Sequence, residues 1–154
     1  EYPSIMLLKE AKLEDIIRII RPLGTYNRKA IYVLEIANTL CSKYDDKVPN
    51  DRKLLEELPG VGRKVANVVL SEWFKEPSIA VDTHVERVSK RLGLANEKDS
   101  VLVVEKKLKR CFDESLWGKR HLQMVLFGRY RCMAVKPKCM ECKLIDICKY
   151  KKKK

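Results

Sequence analysis

No apolar run in this 154-residue chain approaches the roughly 20 residues that span a bilayer. Its opening residues have no basic-then-apolar stretch of the kind that makes a signal peptide. Strand-like alternation of apolar and polar residues is missing as well, and there is no internal repeat. Low complexity is confined to the final lysines. Acidic residues are in short supply, 21 against 33 Lys and Arg, which leaves a formal net charge of +12. A membrane span, a secretory leader and a β-rich fold are therefore not expected. The expectation is a soluble, intracellular chain, in the cytoplasm or nucleoid of a prokaryote. Its length fits one large domain or two small ones sharing a core.

The positive charge is unevenly spread. Residues 128–154 hold ten Lys or Arg against Glu141 and Asp146, so +8 of the +12 falls in this last stretch. Basic surface of this density attracts phosphate through counterion release, without reading base sequence. The part from Arg129 to Lys143, interleaved with cysteines and Tyr130, reads as a nucleic-acid surface. Lys151–Lys154 fit either that surface or a solvated tail.

Nearly every periodic segment has helical spacing. Leu13–Ile20 is one helix, ended by Pro22-Leu23-Gly24, and Ala30–Leu40 a second. Asp51 is placed to cap a short helix running to Leu58. Helices are expected over Lys64–Phe74, over Val81–Leu92 closed by Gly93, over Ser100–Cys111 and over Leu116–Arg129. After Tyr130 the pattern becomes loop-like and rich in cysteine. The fold expected is all-α, in two parts, 1–77 and 78–154.

Between two of these helices lies Leu58-Pro59-Gly60-Val61-Gly62-Arg63-Lys64. Pro59 cannot continue the preceding helix. Gly60 and Gly62 tolerate torsions closed to other residues and carry no side chain to obstruct a phosphate. The helix that follows begins with unpaired amides and the positive end of its dipole. Leu58, Gly60, Val61, Gly62 and Arg63 are thus candidate DNA-phosphate contacts. Lys64 is open to two roles, phosphate contact or amine nucleophile. Asp82, eighteen residues on, is placed to take a proton or to stabilise positive charge. His84, near a helix start, reads as a satisfied structural residue.

Six cysteines are present, and an intracellular chain rarely keeps disulfides. Cys41 and Cys111 sit in apolar helical patterns and read as small core residues. Cys132, Cys139, Cys142 and Cys148 form a C-x6-C-x2-C-x5-C pattern suited to four thiolate ligands. Spacing alone leaves tetrahedral zinc and an iron–sulfur cluster equally open.

Three stretches in order, LPGVGRKVANVVL (58–70), IAVDTHVERV (79–88) and the terminal cysteine pattern, resemble the endonuclease III family. These are helix–hairpin–helix DNA glycosylases with an associated AP lyase activity, and the resemblance runs through essentially the whole chain. It implies a helical barrel domain carrying the hairpin and a helical domain ending in a [4Fe-4S] cluster loop held by the four cysteines. It implies that Lys64 attacks C1′ of a damaged nucleotide to form a Schiff base, with β-elimination then cutting the strand, and that Asp82 supports base departure and proton transfer. The substrates implied are oxidised or ring-saturated pyrimidines and abasic sites in double-stranded DNA, bound by a monomer that flips the base out of the stack.

The same resemblance has the cluster fix the loop Met133–Lys138, so that Lys136 and Lys138, with Arg131 beside them, meet phosphate. Val135 stands where the family often has a basic residue. Lys64 weakens the case for a mismatch-specific glycosylase, since monofunctional relatives lack that lysine. A non-catalytic DNA-binding fragment is the other alternative. Family members also carry N-terminal helices ahead of the position matched by Glu1. These complete the barrel and cap the cluster domain, and this sequence is expected to lack them.

Overall fold

The computed structural model describes residues 1–150; the Lys151–Lys154 run, read above as phosphate surface or tail, lies outside the described residues. The elements are α1 (Ile5–Lys9), α2 (Leu13–Ile20), α3 (Tyr26–Lys43), α4 (Arg52–Glu56), α5 (Arg63–Glu72), α6 (Thr83–Leu92), α7 (Val101–Cys111), a 3-10 turn (Glu114–Leu116) and α8 (Trp117–Tyr130). Among the described residues there is no strand, and no helix long and apolar enough to cross a membrane. The all-α expectation holds. By packing, the described residues divide into two compact units, Glu1–Ala66 and the residues from Asn67 on, with the division inside α5.

In the first unit α1 and α2 pack on α3. The α3 face that they help cover carries Ala30, Ala37 and Leu40 at helical spacing, all buried. Small residues at 30 and 37 let neighbouring helices come close. α3 is longer at both ends than the apolar period of Ala30–Leu40 suggested, because Asn27–Lys29 and Ser42–Lys43 continue the helix as solvent-facing turns. α1 is a five-residue helix capped by Ser4, whose Oγ accepts the Leu7 amide at 3.3 Å. Its single turn is too short for a hydrophobic period to register.

The second unit is organised around α6, which packs on α8 and α7. Val85 and Val88 of α6, Val104 and Leu108 of α7, and Met124 of α8 form one buried cluster with Ile79, Val81 and Ala95. Val81 belongs to this core but not to the helix. α6 begins at Thr83, capped by Asp82, and ends at Gly93, whose φ of 78° supplies the left-handed C-cap. Cys41 is half-buried as a small helix residue, whereas Cys111 is exposed. It closes α7, in the register of Val104 and Leu108, at the point where that face reaches solvent.

α8 approaches α6 closely at Gly128. A Cβ there would lie 2.8 Å from His84 Cβ and 3.3 Å from His84 Cα, both on α6. Helix propensity alone would favour alanine by about 1 kcal/mol. Overpacking of a close crossing costs about 1–3 kcal/mol and here meets backbone, not a flexible tip. Gly128→Ala is therefore expected to lower unfolding free energy by roughly 1–2 kcal/mol in urea titrations. Gly24→Ala, where a Cβ meets nothing within 4 Å, is expected to leave it unchanged or slightly raised.

Candidate active site and metal centre

The hairpin is built by a few backbone bonds. Asp51 caps α4 through Oδ1, which accepts the amides of Lys53 at 2.8 Å and Leu54 at 3.0 Å. The Leu58 amide donates to Leu55 O at 3.1 Å, and the Val61 amide to Leu58 O at 3.0 Å. With Pro59 second and Gly60 third at φ 71°, this is the type II pattern. A Cβ on Gly60 would fall within the Tyr32 ring, 2.6 Å from Cγ. Gly60 is thus fixed by torsion and by space.

Gly62 differs from the expectation. Its φ is not in the left-handed region, and a Cβ on it would meet no atom within 4 Å. Neither strain nor packing inside the protein calls for glycine there. Its carbonyl accepts the Ala66 amide at 3.0 Å, so it opens α5, where Arg63 and the exposed Lys64 form the first turn. The first amides of any helix have no acceptor within it.

Leu58 corrects another expectation. Its side chain is 5% exposed and both its backbone groups are bonded inside the hairpin, so it builds the turn and offers nothing to a phosphate.

Asp82 sits at the N-terminus of α6, half-buried, after three buried residues, Ile79, Ala80 and Val81. Side chains hold that approach segment. Asn67 Nδ2 donates to Ile79 O at 3.2 Å and to Glu105 Oε2 at 3.3 Å, and His121 Nδ1 donates to Ala80 O at 2.9 Å. Asp82 Oδ1 accepts both cap bonds, from the His84 amide at 2.9 Å and the Val85 amide at 2.8 Å. Oδ2 stands outside the cap. His84 is partnered as expected: Arg87 Nη2 lies 3.1 Å from its Nδ1. Guanidinium has only donors, so Nδ1 is the acceptor and the ring proton sits on Nε2.

The cysteine segment is a succession of turns. The amide of Cys142 donates to Cys139 O at 3.0 Å, that of Ile145 to Cys142 O at 3.1 Å and that of Cys148 to Ile145 O at 3.3 Å. Cys132 joins them from the end of α8, where Phe127 O accepts the amides of both Arg131 and Cys132 at 2.9 and 2.8 Å. All four cysteines line a cavity of about 560 Å³ together with Leu92, Phe127 and Ile145. None is in a disulfide. Of the basic residues read here, Arg131 pairs with Glu141 at 2.7 Å, whereas Lys136 and Lys138 are exposed, Lys136 at φ 50°.

Two arginines of α6 that the sequence reading passed over secure this segment. Arg87 Nε donates to Cys132 O at 3.0 Å and its Nη2 to Gly128 O at 2.7 Å. Arg91, only 8% exposed, donates through Nη1 to Met133 O at 2.7 Å and through Nη2 to Ala134 O at 3.3 Å. Asn67 and His121 were passed over as well. The available signal was position: residues 87 and 91 lie one turn apart beside the apolar 85 and 88, where a charge is rarely buried without a partner.

The description HhH-GPD superfamily base excision DNA repair protein matches residues 2–114. Endonuclease III of Bacillus subtilis is 48% identical over 137 residues, 89% of this chain and 63% of that protein. Endonuclease III of Escherichia coli K12 is 42% identical over 151 residues, 98% of this chain and 70% of that protein. A solved structure of a trapped endonuclease III–DNA covalent intermediate, an estranged-adenine complex, superposes with a TM-score of 0.91 at 46% identity, covering 96% of this chain and 69% of that one. The chain spans under two thirds of the length of its Bacillus relative. A turn built for close backbone approach, a helix-opening lysine and these matches converge: the chain belongs to the HhH-GPD superfamily of base excision DNA repair proteins and, within it, to the endonuclease III family.

Proposed function

We propose that this chain acts in base-excision repair as a bifunctional DNA glycosylase and AP lyase on oxidised pyrimidines and abasic sites in double-stranded DNA. The observation that carries this is the placement of Lys64: an exposed amine in the first turn of α5, two residues after Gly62, a glycine that the fold itself does not require. A relative of the same fold has been trapped in covalent union with DNA.

In the chemistry we assign, the Lys64 amine forms a bond to C1′ as the C1′–base bond breaks, and the base leaves with the electron pair and takes a proton. Opening of the sugar gives the Schiff base, loss of a C2′ proton expels the 3′ phosphate, and water then frees the lysine. Asp82 is the carboxylate for these proton movements, held by its cap so that Oδ2 stays available. Gly60, Gly62 and Arg63 bring backbone to phosphate, with Val61 closing the turn that presents them, joined by Lys136 and Lys138, and by Arg131 where phosphate displaces Glu141. By function, as distinct from packing, we divide the chain into residues 1–77, which carry the hairpin, and 78–154, which end in the cluster loop. The protein works as a monomer in a prokaryotic cell.

Cys132, Cys139, Cys142 and Cys148 are the residues that would hold a [4Fe-4S] cluster. The family resemblance favours it over one zinc ion, and all four cysteines line the same cavity. The donor set is thiol alone, and a buried guanidinium is aimed at it, as an anionic group requires. When bound, the cluster supplies four covalent tethers for the loop.

Lys64→Ala is expected to abolish the borohydride-trapped protein–DNA band on an abasic-site duplex while leaving affinity for an uncleavable abasic analogue within a few-fold; a persisting band would take Lys64 out of the chemistry. Gly62→Ala is expected to keep the urea midpoint and to weaken duplex affinity about tenfold, the loss of one close backbone contact worth about 1.4 kcal/mol. Cys139→Ser is expected to remove visible cluster absorbance from the purified protein and to weaken DNA binding in the same preparation.

A further inference from the structure

Arg91 is a buried cation that touches the cysteine segment through Cys132. Besides Met133 O and Ala134 O, its Nη1 donates to Cys132 O at 3.4 Å and to Cys132 Sγ at 3.4 Å, the latter within the reach of an N–H···S bond. The guanidinium lies over the Tyr150 ring, 4.1 Å from its centroid, so one face is shielded by an aromatic. Among the described residues no carboxylate pairs with it. Its backbone carbonyl holds the other end of the segment: it accepts the Lys149 amide at 3.0 Å and lies 3.4 Å from Cys148 Sγ. One residue thus touches the first and the last cysteine of the set, by side chain and by main chain.

We infer that Arg91 sets the reduction potential of the group held by the four cysteines, through its buried charge and its N–H···S bond to Cys132. This rests on the cluster assignment above. Adding an electron to an anionic thiolate cluster raises its negative charge, and a nearby buried cation stabilises the more negative form. Hydrogen bonds to ligand sulfur act in the same direction. Surface lysines near the cavity contribute little, because solvent and salt screen them. Lys138 lines the same cavity but is exposed, which makes it the natural comparison.

The test is the midpoint potential of the purified, cluster-loaded full chain without DNA, followed by spectroelectrochemical titration of the visible absorbance. Arg91→Met keeps the bulk and removes charge and donors. Arg91→Lys keeps the charge and loses the fork that reaches the sulfur and the carbonyls together. Lys138→Met removes an exposed charge at the cavity rim. The expected order is wild type highest, Arg91→Lys lower and Arg91→Met lowest, with Lys138→Met close to wild type.

Equal potentials in wild type and both Arg91 variants, with absorbance intact, overturn the inference; so does a shift in Lys138→Met as large as that in Arg91→Met. If Arg91→Met emerges without a cluster, Arg91→Lys decides alone, a lower potential supporting the inference and an unchanged one overturning it. Wild-type protein lacking cluster absorbance while binding zinc would instead remove the cluster assignment, and the inference with it.

Discussion

The second unit depends on how close α8 comes to α6. At Gly128 the two helices meet nearly backbone to backbone, and Arg87 spans the crossing with a 2.7 Å bond to the Gly128 carbonyl. That approach buries Val85 and Val88 almost completely. It also sets the angle at which α8 delivers Cys132 beside the C-terminal half of α6. α6 then serves both ends. Its N-terminus is capped by the carboxylate assigned to chemistry, and its C-terminus holds the cysteine segment, roughly 15 Å away along the axis. A displacement of the crossing would be felt at both.

The hairpin separates two uses of glycine that sequence alone merges. Gly60 answers to the protein: its torsion and the Tyr32 ring exclude any side chain. Gly62 answers to nothing within the chain: a Cβ there would meet no atom within 4 Å. A phosphate is the partner that a helix start favours. The same logic divides the carboxylate oxygens of Asp82, one consumed by the cap and the other left over.

Helix positions were legible wherever a cap or an apolar stripe marked them. Asp51, Asp82 and Gly93 occupy cap positions recognisable by residue type, and Leu13–Ile20 matches its predicted bounds. The misplacements have physical reasons. Val81 extends an apolar run into what reads as helix, yet it lies outside the helix, buried in the core just ahead of the cap. Leu58 lies within a stretch read as phosphate-binding, but its side chain is buried and its backbone groups bond within the hairpin. Arg87 and Arg91 read as solvated charges because a sequence pattern does not show that carbonyls and a sulfur lie opposite them. The four cysteines were legible as a set. That they line one cavity needed the structure.

Both ends of the cysteine segment are tied to helices by bonds that involve no metal. Cys132 is fixed by the Phe127 carbonyl and the two arginines, and Lys149 by the Arg91 carbonyl. In a free chain, drawing such ends together forfeits loop entropy worth about 3 kcal/mol for a loop of roughly 15 residues. Here the helical scaffold meets that cost before any ligand bond forms. The middle turn around Cys139 and Cys142 is the part that these bonds leave to any ligand. On the cluster assignment proposed above, gain and loss of the cluster would be local events, separable in time from the folding of the helices behind it.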